Sequence, residues 1–222
     1  MGFAYSVVIP TLNEEKRLGA VIEGILKVMK DVEIIVVDDS SDDSTVEIAR
    51  KLGVKVISRS HRMGKGSAVV EGLKAANGEV IGFVDADRSI PENDILRVFE
   101  AAKGCLAIAS RKHSGSVILS RQPLMRRAAS RVYNSIVRLL FGLPFKDTQC
   151  GCKAMDRKVA ERLIDLVSSK GFEFDVELLL AAKKKGVEIR EIPVSWGHQE
   201  GSKFNLTKSP GMFFSLLRLR FK

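Results

Sequence analysis

Short apolar runs alternate with stretches of helical spacing through the first half of the chain. Ser6-Val7-Val8-Ile9 reads as a buried strand stopped by Pro10, and Leu18, Val21, Ile22, Ile25 and Met29 then recur three and four apart, as on one helix face. Glu33 to Val37 predicts a second strand, followed by a helix in which Ser44 and Glu47 fit a capping box and Gly53 marks the end. Val54 to Ile57 is a third strand, Gly64 to Ala76 a helix closed by Asn77-Gly78, and Val80 to Val84 a fourth strand. Pro91 takes the place of a first-turn proline ahead of Ile95, Leu96, Phe99 and Ala102, and Leu106 to Ala109 is a further strand. Strands and helices in alternation predict an α/β fold with a mostly parallel sheet.

Beyond residue 110 the pattern changes. Residues 123–141 predict a basic amphipathic helix, with Val132, Ile136, Val137, Leu140 and Phe141 interrupted by Arg127, Arg131 and Arg138. A polar loop over 146–151 follows, then helices near 157–167 and 175–185 and a strand from Val187 to Val194. A loop over 197–210 leads to a last segment, 212–222, in which large apolar residues mix with Arg218, Arg220 and Lys222. The chain has 222 residues, enough for one substantial core. No repeat or linker-like composition divides it, so a single domain over 1–222 is expected.

Composition narrows the function classes. At 45% hydrophobic and 28% charged residues the chain is globular rather than disordered. No apolar run approaches the roughly 18 residues that a bilayer-spanning helix needs. The N-terminus runs into a strand without a charged lead or a cleavage site, so no signal peptide is expected. Cys105, Cys150 and Cys152 lack paired metal-ligand spacing and are expected to be reduced thiols. The net charge of +9 points to anionic partners. Without a reader motif or a set of stacking aromatics, nucleic acid is not among them.

The acidic residues gather in the first half, at strand ends. Strand one runs into Pro10-Thr11-Leu12-Asn13-Glu14, strand two into Asp38-Asp39-Ser40-Ser41-Asp42, and strand four into Asp85-Ala86-Asp87. Open parallel sheets bind ligands beyond these carboxyl ends. Clustered carboxylates repel, and a hard divalent cation, Mg2+ or Mn2+, relieves the repulsion. In an extended Asp-x-Asp the alternate side chains share a face, so Asp87 is expected to hold a metal bridging a diphosphate while Asp85 meets the sugar or ribose. The competing reading makes these aspartates solvated turn residues and caps. Gly64-Lys65-Gly66 before a helix is either a phosphate cradle or a place where Lys65 neutralises the acidic edge. Trp196, the only tryptophan, is read as packing or as a substrate contact.

These motifs, taken in order with Asp43-Ser44-Thr45 after the second strand, resemble glycosyltransferase family 2 over nearly the whole chain. In the second half, Asp147-Thr148-Gln149-Cys150-Gly151, Phe174-Asp175-Val176-Glu177-Leu178 and Glu200-Gly201-Ser202-Lys203 look like the dolichyl-phosphate glucose and mannose synthases, leaning toward glucose. The resemblance implies a GT-A (Rossmann-like) fold carrying C-terminal amphipathic helices, with 1–110 as the nucleotide-sugar half and 111–222 as the acceptor half. It implies that Pro10, Leu12 and Glu14 line the nucleotide pocket, that Val37 and Asp39 hold base and ribose, and that Asp85, Ala86 and Asp87 handle diphosphate, sugar and metal. Ser89 would join Asp87 at the metal, Lys65 and His198 would bind the nucleotide sugar, Lys203 would close over the diphosphate, and Arg111 would meet phosphate. Leu12 stands where the mannose synthases commonly have tyrosine, and His198 lies one residue nearer Lys203 than their arginine.

The activity so implied is inverting transfer of a hexose from UDP-glucose or GDP-mannose to a polyprenyl or dolichyl phosphate. A phosphate acceptor is already anionic and needs positioning more than a base, a task suited to Arg111, Arg127 and Arg131, although the last two also read as a solvated helix face. Asp147 is either a base or a residue that orders its motif and touches substrate. Basic amphipathic segments at 123–141 and 212–222 fit a peripheral position on the cytoplasmic face of a membrane, or ordinary core packing. Transfer to a saccharide or protein hydroxyl, a non-catalytic module binding nucleotide or acidic membrane, and a nucleotidyltransferase are the other readings.

Overall fold

The computed structural model describes residues 2–199 and 209–221. Its first half follows the apolar pattern: β1 (Tyr5–Thr11), α1 (Leu18–Val28), β2 (Val32–Asp38), α2 (Thr45–Lys51), β3 (Lys55–Ser58), α3 (Lys65–Ala75), β4 (Val80–Val84), α4 (Glu92–Glu100) and β5 (Leu106–Ser110). The second half adds β6 (Val117–Ser120), α5 (Leu124–Phe141), β7 (Cys152–Asp156), α6 (Arg157–Leu163), α7 (Phe174–Lys184), β8 (Ile189–Pro193), β9 (Ser195–Gly197) and α8 (Ser209–Arg220). Seven strands form one sheet in the order β3-β2-β1-β4-β7-β5-β8, and β6 pairs with β9 in a separate ribbon.

The sheet is buried on both faces, which is why its strands are runs of Val and Ile rather than alternating apolar and polar residues. Strand alternation sends Val7, Ile9, Ile34 and Val36 toward α1, α2 and α4. Val8, Ile35, Val37 and Phe83 go to the opposite layer, against α3, α6 and α7. Each such side chain, fully buried, contributes about 1.5–3 kcal/mol.

Several features depart from the sequence reading, among them the short strands β6 and β9, which no local pattern marked. β7 was not predicted, and it is antiparallel to both neighbours: it slots between β4 and β5 with Val84 opposite Cys152 and Leu106 opposite Met155. The loop before β7 therefore arrives at the edge where the parallel strands end, and strands from both halves of the chain share one sheet. The expected capping box at Ser44 and Glu47 does not form; Ser44 makes no side-chain cap. The Asp43 carboxylate takes the Thr45 N–H at 3.0 Å, and the Ser44 N–H donates to Glu15 at 3.2 Å instead. At α4, Pro91 is the cap residue itself, with Glu92 as the first helical position.

α5 and α8 each bury one face and expose another. Tyr133, Asn134 and Val137 turn inward from α5, and Leu216 of α8 is fully buried. Leu124, Met125, Val132, Leu139, Phe214 and Phe221 stand in solvent. No described helix is long and apolar enough to cross a membrane.

Candidate active site

Most of the clustered carboxylates fasten loops. Asp38 accepts from the Ser41 N–H at 2.9 Å, from the Ser41 hydroxyl, and from Thr11 Oγ1 at 3.1 Å. Asn13, at φ 53°, exchanges two hydrogen bonds with Asp42, its Nδ2 donating at 2.6 Å and its Oδ1 accepting from the Asp42 N–H at 3.0 Å. Glu15 N–H donates to Asp43. The polar stretches after β1 and β2 thus form one locked unit, and for these aspartates the turn-residue reading is the right one. Asp39 is likewise engaged: the Met63 and Gly64 N–H groups donate to it at 2.8 Å each, and Arg59 Nη1 at 3.0 Å. Burial would raise its pKa, but these donors hold it below the usual carboxylate value.

Asp85 and Asp87 are different. Both line a cleft of about 560 Å3 at the sheet edge, along with Pro10, Leu12, Glu14, Asp39, Lys65, Ala86 and Ser89. They sit in a turn after β4 rather than in extended chain, so the turn, not strand alternation, brings them together. Burial and then the Asp85 charge push the Asp87 carboxyl above its ordinary range, although the Ser89 N–H donates to it at 2.9 Å. Asp85 Oδ1 is buried, and Lys65 Nζ stands 2.6 Å away as its ion-pair partner. Burial alone would lower the Lys65 pKa, but Asp85 and then Asp175 hold it above the usual lysine value. Gly64 and Gly66 serve packing: the Gly66 N–H donates to the Lys170 carbonyl at 2.9 Å, and a Cβ on Gly66 would lie 2.5 Å from that of Phe174. With its first N–H groups so occupied, α3 offers no phosphate cradle.

A buried strut stands behind this edge. Lys153, on β7, has no exposed surface, and its Nζ donates to the Cys150 carbonyl at 3.0 Å and to Asp175 at 2.5 Å. It fixes the 147–151 loop, whose Gly151 carbonyl accepts from the Asp85 N–H at 2.8 Å. A side chain on Gly151 would run into the Asp85 carboxylate. At the start of the same loop, Asp147 is fully buried and takes Arg111 in a fork, from Nε at 2.7 Å and Nη2 at 2.6 Å. Burial would raise the Asp147 pKa, but Arg111 holds it low. An ionised carboxylate so occupied is not a base; Asp147 orients Arg111. The guanidinium lies 5.3 Å from the centre of the Trp196 ring, against which His198 stacks from the cleft side.

Arg111 and Trp196 also border a second cavity, of about 730 Å3, into which Arg127, Arg131 and Arg138 of α5 project. The two cavities therefore meet at Arg111, Gln122, Ser130 and Trp196. Against known proteins, the glycosyl transferase family 2 pattern matches residues 6–164. The chain belongs to glycosyl transferase family 2. It is 30% identical to a dolichyl-phosphate beta-glucosyltransferase of Saccharomyces cerevisiae, over 90% of this chain and 69% of that one. It is 32% identical to the human dolichyl-phosphate beta-glucosyltransferase, over 89% and 68%. Among solved structures it is similar to glucosyl-3-phosphoglycerate synthase of Mycobacterium tuberculosis in complex with UDP, at TM-score 0.71 and 24% identity, covering 99% of this chain and 80% of that one. The same synthase has been crystallised with Mn2+, UDP-glucose and phosphoglyceric acid and with Mg2+ and UDP. The fold is GT-A.

In this family 2 transferase most expected site residues come together. Val37 does not: it is fully buried in the α3 layer, where alternation along β2 must put it, and it lines neither cavity. Lys203 lies outside the described residues. Arg127 and Arg131 line the basic cavity and not the cleft. Lys153 was not legible as a site residue, because β7 is set by distant partners, and for Trp196 the sequence left packing and substrate contact open. A divalent metal fits the donor set. Among the described residues no three His, Cys, Asp or Glu side chains converge. Asp85 and Asp87 nevertheless offer hard oxygens, one of them buried and ion-paired with Lys65. Mg2+ is commonly held by one or two carboxylates, with substrate phosphates and water completing its shell.

Proposed function

We propose that this enzyme transfers glucose from UDP-glucose to a polyprenyl phosphate of the dolichyl type, with inversion and with Mg2+ or Mn2+, at the cytoplasmic face of a membrane. One observation carries the reading: a cleft bearing Asp85 and Asp87 opens through Arg111 onto a cavity lined by cations, and no carboxylate lines that cavity. A hydroxyl nucleophile would need a base there, whereas a phosphate arrives charged. The names of the relatives support glucose and dolichyl phosphate, and the UDP complexes of the synthase support uridine.

Pro10, Leu12 and Glu14 wall the nucleotide end of the cleft, and Asp39 shapes its floor by holding the 59–64 loop. Asp87, with Ser89 restraining it, and Asp85 would hold the metal, which when bound stabilises negative charge on the departing diphosphate. Lys65 and His198 face the same region. Arg111, held in place by Asp147, and Arg127 and Arg131 draw in the acceptor phosphate bidentately. A phosphate oxygen of the acceptor then bonds to the anomeric carbon from the side opposite the diphosphate. The bond from that carbon to the diphosphate oxygen breaks, and UDP leaves with the electron pair. No proton has to be removed from the nucleophile.

The test is turnover of radiolabelled UDP-glucose and GDP-mannose with a short polyprenyl phosphate and Mn2+ or Mg2+. Label entering the organic phase from UDP-glucose, abolished by EDTA and reduced about 100-fold or more by Asp87→Ala, is the expected result. Label passing instead to an oligosaccharide would overturn the acceptor, and transfer from GDP-mannose alone would overturn the donor.

A further inference from the structure

Two lysines answer three carboxylates along and behind the donor cleft. Lys153 and Asp175 are both buried and satisfy each other. Lys65 Nζ stands 2.6 Å from Asp85 Oδ1. Asp87, the third carboxylate, makes no ion pair among the described residues; its hydrogen bond comes from the Ser89 N–H. The group therefore has one carboxylate more than it has cations before any ligand arrives.

A divalent cation held by Asp85 and Asp87 would not simply add to this arrangement. It would meet Lys65 at the same Asp85 carboxylate, and two cations sharing one carboxylate within a few ångströms repel. Among the described residues no third His, Cys, Asp or Glu converges there to offset the repulsion. A diphosphate arriving with the metal removes the conflict, because it supplies anionic oxygens for both cations.

Lys65 is pinned at its backbone and looser at its head. It is the first residue of α3, and the Gly66 and Ser67 N–H groups donate to the Lys170 carbonyl at 2.9 and 3.3 Å. Gly64, at φ 98°, has no room for a side chain, since a Cβ there would lie 2.4 Å from the same carbonyl. The Lys65 Nζ lies 5.6 Å from the centre of the Phe83 ring and 5.9 Å from that of Phe172. An aromatic face holds an ammonium without a carboxylate. Lys65 and Phe172 both line the cleft, and the lysine side chain keeps 18% of its surface exposed. The ammonium thus has a way from Asp85 into the cleft while its stem stays in place.

On the reading of Asp85 and Asp87 as the metal holders, we propose that Lys65 is the stand-in cation of the donor cleft. It neutralises Asp85 until metal and diphosphate arrive together, then yields Asp85 to the metal and pairs with the diphosphate. Metal binding is thereby conditional on the donor, and the enzyme holds no divalent ion between turnovers.

The test is the affinity for Mn2+, followed by the electron paramagnetic resonance of the free ion, with and without UDP and corrected for Mn2+ held by UDP alone. The wild type should bind Mn2+ about tenfold or more weakly without UDP than with it. Lys65→Met, which keeps an apolar stem between the two rings, should bind Mn2+ about tenfold or more tightly than the wild type when UDP is absent. Adding Asp85→Asn should abolish that gain, and Lys65→Arg, which keeps the charge, should not show it. Equal Mn2+ affinity in the wild type and Lys65→Met overturns the exchange. So does a gain that survives Asp85→Asn, which would leave Lys65 as one part of a general field. Should Lys65→Met not fold, the wild type still decides: Mn2+ held as tightly alone as with UDP overturns the proposal. The result is separable from that of glucose transfer. Tighter Mn2+ binding by Lys65→Met with no lipid product from the wild type keeps the exchange and removes the transfer reading. EDTA-sensitive lipid product with no gain in Lys65→Met does the reverse.

Discussion

At the residue scale, Asp147 and Asp87 show how one side-chain type is given opposite tasks by its surroundings. Asp147 is wholly enclosed and forked by Arg111, so it is ionised and fixed. Its folded-state pKa lies below its value in the unfolded chain, near 3.9 for aspartate. The pair therefore contributes stability that is fully present above about pH 4 and is lost as the pH falls through the lower, folded value. Asp147→Asn should melt lower than wild type at neutral pH and lose less stability between neutral pH and pH 3. Parallel melting curves over that interval would remove the ion pair from the account. The same variant should weaken use of the acceptor more than of the donor, seen as a larger rise in KM for polyprenyl phosphate, because Arg111 loses its clamp. Asp87, by contrast, is pushed up by burial and Asp85, and a carboxylate so placed gains from a cation brought beside it.

Elements are positioned by a few buried polar contacts as much as by the apolar layers. Lys153 and Asp175 join β7 to α7 and hold the 147–151 loop between Asp85 and Arg111. Lys153→Met should cost about 3–5 kcal/mol in urea unfolding, since it strands a buried carboxylate. Lys153→Met/Asp175→Leu should recover most of that stability and yet turn over slowly, because the Cys150 carbonyl loses its donor. A double variant with wild-type turnover would reduce the pair to a packing element. Parallel strands β1, β2, β4 and β5 were legible because burial on both faces demands unbroken Val and Ile runs. β7 was hidden for a physical reason: Cys152-Lys153-Ala154-Met155-Asp156 carries a lysine at its centre, and its partner lies 22 residues further on. The acidic edge was legible wherever a carboxylate followed a strand, but sequence could not divide loop fasteners such as Asp38 and Asp42 from the cleft-lining pair Asp85 and Asp87, since both kinds occupy the same strand ends. For Trp196 the sequence left packing and substrate contact open, because its place is set by the β6–β9 ribbon rather than by any local pattern.

On the scale of the whole molecule, β6 and α5 line the basic cavity and α8 packs against α5, and all three present large apolar side chains to solvent, including Leu119, Leu124, Met125 and Phe214. Soluble surfaces seldom leave so many uncovered around a ligand cavity. Leu124→Gln/Met125→Gln should lower sedimentation with phospholipid vesicles by about tenfold or more, given about 1.5–3 kcal/mol for each side chain buried in lipid, while the melting temperature holds. Unchanged vesicle binding would move the contact to another face. The antiparallel strand β7 has a consequence for how the chain is made. Chains emerge from the ribosome at roughly 5–20 residues per second, and when β5 has appeared its place beside β4 is still vacant. Until residue 156 is out, β4 and β5 each carry an open edge rich in valine, isoleucine and alanine, the kind of template on which nascent chains stick to one another. The sheet closes only when a later segment runs backward into its centre, so the first 110 residues would emerge as an unfinished surface in need of a chaperone's cover.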